Sequence, residues 1–214
     1  EIGVIQPIQE IAILARQHQI PSHTDAVQTV GKMVVDVEQL GIDLLSLSSH
    51  KIHGPKGVGA LYIRKGIQLD PLLLGGSHER SRRAGTLNVP GIVGLGKACE
   101  IAQQSLEDFD TRVRKLRDHL EKTILQEIPK TVVNGSRNQR APHLTNISFP
   151  NVEGEALLIA LDMQGIAVST GSACSSGTVE PSHVLQALGY RPARCDSAIR
   201  FSLSRMNNKK DIDC

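Results

Sequence analysis

Apolar positions in this chain recur at helical spacing in some stretches and crowd into short runs in others. Ile8, Ile11, Leu14 and Ala15 follow Pro7 at helical intervals. Proline suits a first helical turn, so a helix is predicted over Gln6 to His18, ended by Pro21. His23-Thr24-Asp25-Ala26-Val27 reads as a short buried strand that ends on polar residues. Val37, Leu40 and Ile42 suggest a short helix, and Asp43 to Ser48 and Val58 to Ile63 two more strands. Between those strands lies a segment dense in turn residues, His50 to Gly57. Residues 70–90 form a polar, arginine-rich loop. A long helical pattern then runs from about Ile92 to Ile128, with Phe109, Val113, Leu116, Leu120 and Ile124 at steps of three and four.

Beyond it the order changes. Strands are expected at Thr131 to Val133, Leu144 to Phe149, Ile166 to Ser169 and Ser197 to Ser202, with helices at Gly154 to Met163 and Pro181 to Leu188. Alternating strands and helices in the first half predict an α/β domain with a mainly parallel sheet and flanking helices. The second half predicts a small α+β domain. The boundary is placed within the long helix, giving domains 1–108 and 109–214.

Composition narrows the function. Two Tyr, three Phe and no Trp leave little for stacking nucleic-acid bases, and a net charge of +2 is too small for a DNA-binding footprint. No apolar run approaches bilayer length, so no membrane span is expected. The four cysteines, Cys99, Cys174, Cys195 and Cys214, lie far apart without metal spacing or a disulfide framework. A reducing compartment is expected, the cytoplasm or an organelle matrix, and no metal site.

A lysine after a strand is ordinarily solvated. Lys51 has unusual neighbours: Ser48, Ser49 and His50 precede it and glycines follow. Hydroxyls, an imidazole and turn N–H groups suit a phosphate monoester. A desolvated amine can form an imine with an aldehyde, and an acid facing a pyridine nitrogen makes that ring an electron sink. Asp25, also at a strand end, is the candidate acid, and ligands of such sheets gather at the carboxyl ends of strands. Gly54-Pro55-Lys56-Gly57 lacks the spacing of a nucleotide phosphate loop.

Ser169-Thr170-Gly171-Ser172-Ala173-Cys174-Ser175-Ser176-Gly177 contains almost only small residues and cannot pack a core. A surface loop is expected, with Cys174 accessible as a nucleophilic thiol must be. Cys99, in a helix, is read as buried. Arg200 falls in an alternating strand.

The segment Ser48 to Gly57 closely resembles the pyridoxal-phosphate (PLP) lysine motif of class V aminotransferase-fold enzymes, particularly the NifS/IscS-type cysteine desulfurases. His23 to Gln28 resembles that family's aspartate strand, and His78-Glu79-Arg80 with Arg83-Ala84-Gly85-Thr86 its intersubunit phosphate loop. The Cys174 loop with Val179 to Leu185 resembles the signature of the group I enzymes. The resemblance covers nearly the whole chain and implies the PLP-dependent transferase type I fold. It implies that Lys51 holds PLP and shuttles the substrate Cα proton, that Asp25 pairs with the pyridine nitrogen, and that Gln28 meets the ring oxygen. Ser48 and His50 would bind the phosphate in cis, Thr86 that of a second subunit in a homodimer with a shared active site, and Arg200 the substrate carboxylate. Cys174 would take sulfur from L-cysteine as a persulfide, leaving L-alanine, and pass it to an iron–sulfur scaffold or another acceptor. His53 stands where many relatives carry tyrosine.

Another class V enzyme, an aminotransferase or selenocysteine lyase, shares the lysine motif, and a non-catalytic acceptor-binding fragment shares the fold. Both ends read as cuts in a longer protein. The family's N-terminal part, with its ring-stacking histidine, phosphate loop and an asparagine near the ring hydroxyl, is not in these residues. The 214 residues alone are therefore expected to bind PLP weakly and turn over poorly. The visible absorbance with PLP and alanine release from cysteine measure this, and normal activity would contradict it.

Overall fold

The structure, a computed structural model, describes residues 1–171 and 181–214. The chain divides into two compact units, Gln6–Leu106 and Glu1–Ile5 with Glu107–Cys214. The first five residues thus group with the second half of the chain.

The first unit opens with α1 (Ile8–Gln17), capped by Pro7, with Ala12 buried. β1 (His23–Asp25) follows. α2 (Val37–Leu40) is set by local chemistry: Asp36 accepts from the Glu38 and Gln39 N–H groups, and Gly41 ends it in the left-handed region. β2 (Leu44–Ser48) and β3 (Gly59–Ile63) complete a sheet of order β1-β2-β3. β1 and β2 are parallel, because residues 26–43 give room for a crossover. β3 runs antiparallel to β2, because the ten-residue link between them turns straight back. This part of the mainly parallel expectation therefore reduces to one parallel and one antiparallel pair. Ala12, Ala26, Ile42 and Leu45 form the core on one side.

The polar loop contains a short turn of helix, α3 (His78–Ser81), with Glu79 and Arg80 at positive φ. α4 (Val89–Gln104) starts on Asn88, whose side chain accepts from Gly91 N. Its buried Leu95, Ala98 and Ala102 form a second core with Ile52.

The predicted long helix is interrupted. Ser105 caps α4, its hydroxyl donating back to the Ile101 carbonyl at 2.8 Å. α5 (Leu106–Asp108) and a π-turn (Phe109–Val113) lead into α6 (Arg114–Glu127), and the wider turn buries both Phe109 and Val113. In the second unit β4 (Val132–Val133), β5 (Leu144–Ser148) and β6 (Ala198–Ser202) form an antiparallel sheet of order β4-β5-β6. Between β5 and β6 lie α7 (Gly154–Asp162), α8 (His183–Ala187) and α9 (Pro192–Asp196). Sequence periodicity missed α9, which is a single turn started by Pro192 and held by buried Cys195. The expected strand at Ile166 to Ser169 shrinks to one bridge, Ser169 to Arg200. The chain leaves α7 through Gly165 at φ +80 with Ile166 N still bonded to the Leu161 carbonyl, so only its far end reaches β6. Among the described residues, no helix is long and apolar enough to cross a membrane.

The second unit contains a buried ion network. Arg140 donates to both Glu121 oxygens at 2.6 and 3.0 Å, and Thr145 donates to Glu121 at 2.7 Å. Arg117 donates to the Ala141 and Leu144 carbonyls at 2.9 and 3.1 Å, tying α6 to β5. Burial works against the Glu121 carboxylate, but the Arg140 and Thr145 hydrogen bonds and the charges of Arg140 and Arg117 outweigh it and hold the group below its usual range. Such a carboxylate stabilises the fold above its unfolded pKa and loses that contribution as pH falls through the lower folded value. Glu121→Ala leaves Arg140 buried without its partner and is expected to cost about 3–5 kcal/mol. Urea denaturation from pH 7 down to acid should show this loss, together with a shallower acid limb in the variant.

Candidate cofactor-binding site

Lys51 sits on a tight 3-10 turn, Ser49–Ile52, directly after β2. The two ends of the turn are buried, Ser49 at 0% exposure and Ile52 at 6%, while His50 is exposed and Lys51 half-buried between them. Ile52 enters the cluster of Leu95, Ala98 and Ala102 on α4. His53 then takes a left-handed conformation at φ 67, and Gly54 N closes the turn on the Ser49 carbonyl at 2.9 Å. Gly54 is required by proximity: a Cβ there would lie 2.2 Å from Ser49 Oγ and 2.9 Å from the Ala98 Cβ. Pro55 rests on Gly94 of α4, where a Cβ would lie 2.5 Å from its ring.

The two parallel strands deliver further groups to the same end of the sheet. The register pairs Asp25 with Ser46, so Asp25 and Ser48 both stand at carboxyl ends of adjacent strands. Alternation separates the faces: Leu45 enters the core, while His23, Asp25, Ser46 and Ser48 share the opposite polar face. His23 Nε2 and Ser46 Oγ are 2.8 Å apart on that face. Ser48 Oγ and His50 Nδ1 are also 2.8 Å apart, a hydroxyl and an imidazole held side by side before Lys51. Asp25 Oδ1 accepts from Val27 N at 2.8 Å, which shapes the turn leading to Gln28.

Sequence reasoning missed Lys32. Its Nζ donates to Gln28 Oε1 at 3.2 Å. Burial, and then the charge of Lys51, lower its pKa to about 8. The available signal was its spacing, four residues after Gln28 and directly after Gly31. Lys32 and Lys51 therefore repel, and neither makes an ion pair among the described residues. A lysine without a carboxylate partner among the described residues, directly after a hydroxyl–imidazole pair, fits an anionic group such as a phosphate monoester.

In the second unit, Arg200 lies in the middle of β6, bridged to Ser169 by Arg200 N to Ser169 O at 2.6 Å. Its Nε is buried without a hydrogen-bond partner among the described residues, and burial pushes its guanidinium below the usual range against the opposing Glu1 charge. A buried guanidinium edge of this kind fits a carboxylate. Thr86 is exposed in the loop before α4, where its carbonyl accepts from Arg83 at 3.5 Å. Cys174 lies outside the described residues. Cys99 is half-buried rather than fully buried, and burial raises its thiol pKa.

A mixed α/β unit with a lysine turn at the carboxyl edge of parallel strands is the architecture of a PLP-dependent transferase of fold type I. Residues 1–214 match the aminotransferase class-V family over their whole length, and the chain belongs to that family. It is 54% identical to cysteine desulfurase IscS of Methanosarcina thermophila, covering 100% of this chain and 52% of that relative. It is 50% identical to the IscS of Dictyoglomus turgidum, covering 100% of this chain and 54% of that one. Among solved structures, a NifS-like protein from Rickettsia africae matches at TM-score 0.90 and 34% identity, over 100% of this chain and 56% of that one. The chain thus spans about half the length of the curated relatives it matches.

The close approach at Gly54 can be tested against an open helical glycine. Gly54→Ala is expected to destabilise by about 1–3 kcal/mol through forced displacement of Ser49 or α4. Gly96→Ala, which meets nothing within 4 Å on α4, is expected to be neutral or stabilising by about 0.5–1 kcal/mol. Denaturant midpoints of the two variants would separate these outcomes.

Proposed function

We propose that this chain is part of a PLP-dependent cysteine desulfurase. The observation that carries the reading is the clamped Lys51 turn, with the Ser48–His50 pair before it, at the strand ends that also bear Asp25. Similarity to relatives named cysteine desulfurase supplies the substrate class. The first unit holds the cofactor: Ser48 and His50 bind its phosphate, Asp25 its ring nitrogen, Gln28 its ring oxygen and Lys51 its aldehyde carbon. When bound, PLP supplies a protonated ring that withdraws electrons from the substrate carbon.

Lys51 Nζ, once free, takes the substrate Cα proton and returns one to the product. Arg200 binds the carboxylate of L-cysteine, for which its buried, unpartnered Nε is suited. The Cys174 thiolate attacks the substrate sulfur, and the carbon–sulfur bond breaks with its electron pair kept by the substrate carbon. That carbon takes up the proton the Cys174 thiol gave up, and L-alanine leaves while the persulfide stays on Cys174. The persulfide then passes to an acceptor, an iron–sulfur scaffold protein or a component of another sulfur-transfer pathway. The resemblance of the His78 to Thr86 loop supports a homodimer in which Thr86 reaches the phosphate in the second copy.

Mass spectrometry after incubation with L-cysteine and PLP is expected to find one added sulfur on the peptide containing Cys174. Cys174→Ala should abolish sulfur release while the visible cofactor band persists. Unchanged turnover in that variant would favour an aminotransferase or lyase. Failure to take up PLP even when the chain is completed to the full length of its relatives would favour a non-catalytic acceptor-binding role.

A further inference from the structure

Resting on the cofactor reading given above, we propose that Lys32 is a positioning residue that turns the Gln28 amide so that its NH2 group, not its carbonyl, faces the bound cofactor. Lys32 Nζ lies 3.2 Å from Gln28 Oε1 and 3.5 Å from the Gln28 backbone carbonyl. An ammonium has three donors and no acceptor, so only the oxygen of the amide can face it. The Nε2 donors are left for the other side. A site built this way offers hydrogen-bond donation to an oxygen anion and rejects a group that needs an acceptor.

The backbone fixes this pairing. Val30 N bonds to the Ala26 carbonyl and Met33 N to the Thr29 carbonyl, so residues 26–33 form successive turns that bring the Lys32 ammonium back onto Gln28. Gly31 seats these turns against the lysine turn. Its φ is +74, and a Cβ would lie 2.7 Å from Ile52 Cγ2 and 3.0 Å from the Ala102 Cβ. Lys32 is therefore carried on a segment packed against the neighbour of Lys51. Gln28 is exposed while Lys32 is half-buried and within the field of Lys51, so the amide is open to a ligand on one side and held by the ammonium on the other.

The experiment uses the chain completed to the full length of its relatives and saturated with PLP, followed by borohydride trapping, peptide mapping of the Lys51 adduct, and a pH titration of the visible absorbance. Titratable groups on the elements packed around the pair are His23 and Asp25 on β1, His50 and Lys51 on the turn, Lys56 beyond it, and Lys97, Cys99 and Glu100 on α4. All of them are retained in the variants. The Lys32 cation and an amide donor on the ring oxygen both disfavour a proton near the Lys51 nitrogen. Lys32→Met should therefore raise the absorbance midpoint by about one pH unit, the size of one lost charge-assisted hydrogen bond. Lys32→Arg, also donor-only, should keep the midpoint of the unsubstituted protein. Lys32→Gln, which lets the Gln28 amide turn over, should behave like Lys32→Met and serves if the latter fails to fold.

A trapped Lys51 adduct with the same midpoint in all forms would overturn the role of Lys32 and leave the cofactor reading intact. No adduct on Lys51 in the unsubstituted full-length protein would overturn both.

Discussion

The seating of the Lys51 turn on α4 is the constraint on which the rest of the first unit depends. Burying Ile52 among Leu95, Ala98 and Ala102 is worth about 1.5–3 kcal/mol in apolar transfer, comparable to the strain of one poorly accommodated loop. Three glycines make the contact possible. Gly31, Gly54 and Gly94 each lie where a Cβ would meet a neighbour at 2.7 Å or less. The consequence is a half-buried lysine in a turn whose ends, Ser49 and Ile52, are buried at the mouth of β2.

Electrostatics then determines what such a lysine is good for. The sheet has an apolar face that packs on α1 and α2 and a polar face that carries His23, Asp25, Ser46 and Ser48. Lys32 and Lys51 add two cations with no carboxylate paired to either among the described residues. A pair of that kind costs stability unless an anion compensates it. The second unit handles charge in the opposite way: Glu121, Arg140, Arg117 and Thr145 satisfy one another inside the fold. That network is satisfied within the fold, whereas the cations of the first unit have no carboxylate partner among the described residues. Arg200 is similar in that its Nε is buried without a hydrogen-bond partner among the described residues.

Much of this was legible in the chain. Helices were read to within a residue or two: α1 from Pro7 and Pro21, and α2 from Val37 and Leu40. The Ser48-Ser49-His50-Lys51 run carried its own chemistry in its residue types. Reading failed where local signals were absent or tertiary contacts overrode them. A single turn such as α9 is too short to show a period, and the π-turn at Phe109 looks like continuous helix because its buried residues keep a plausible spacing. The strand expected at Ile166 to Ser169 had the right composition, but its start was still bonded to the end of α7.

The sequence by itself determined the main helices and sheet strands, the family resemblance and which residues are candidates for the site, because these follow from residue type, spacing and short-range backbone preference. Only the tertiary structure decided that β3 turns back antiparallel, that Asp25 and Ser48 finish at the same edge, and that Lys32 shares the neighbourhood of Lys51. Lys32 looked like any solvated lysine in the chain. What changed its meaning was the contact of Gly31 with Ile52 and Ala102, residues 21 and 71 positions further along the chain (52 − 31 and 102 − 31). Packing between such distant residues depends on the shape of the folded core, and no local pattern encodes it.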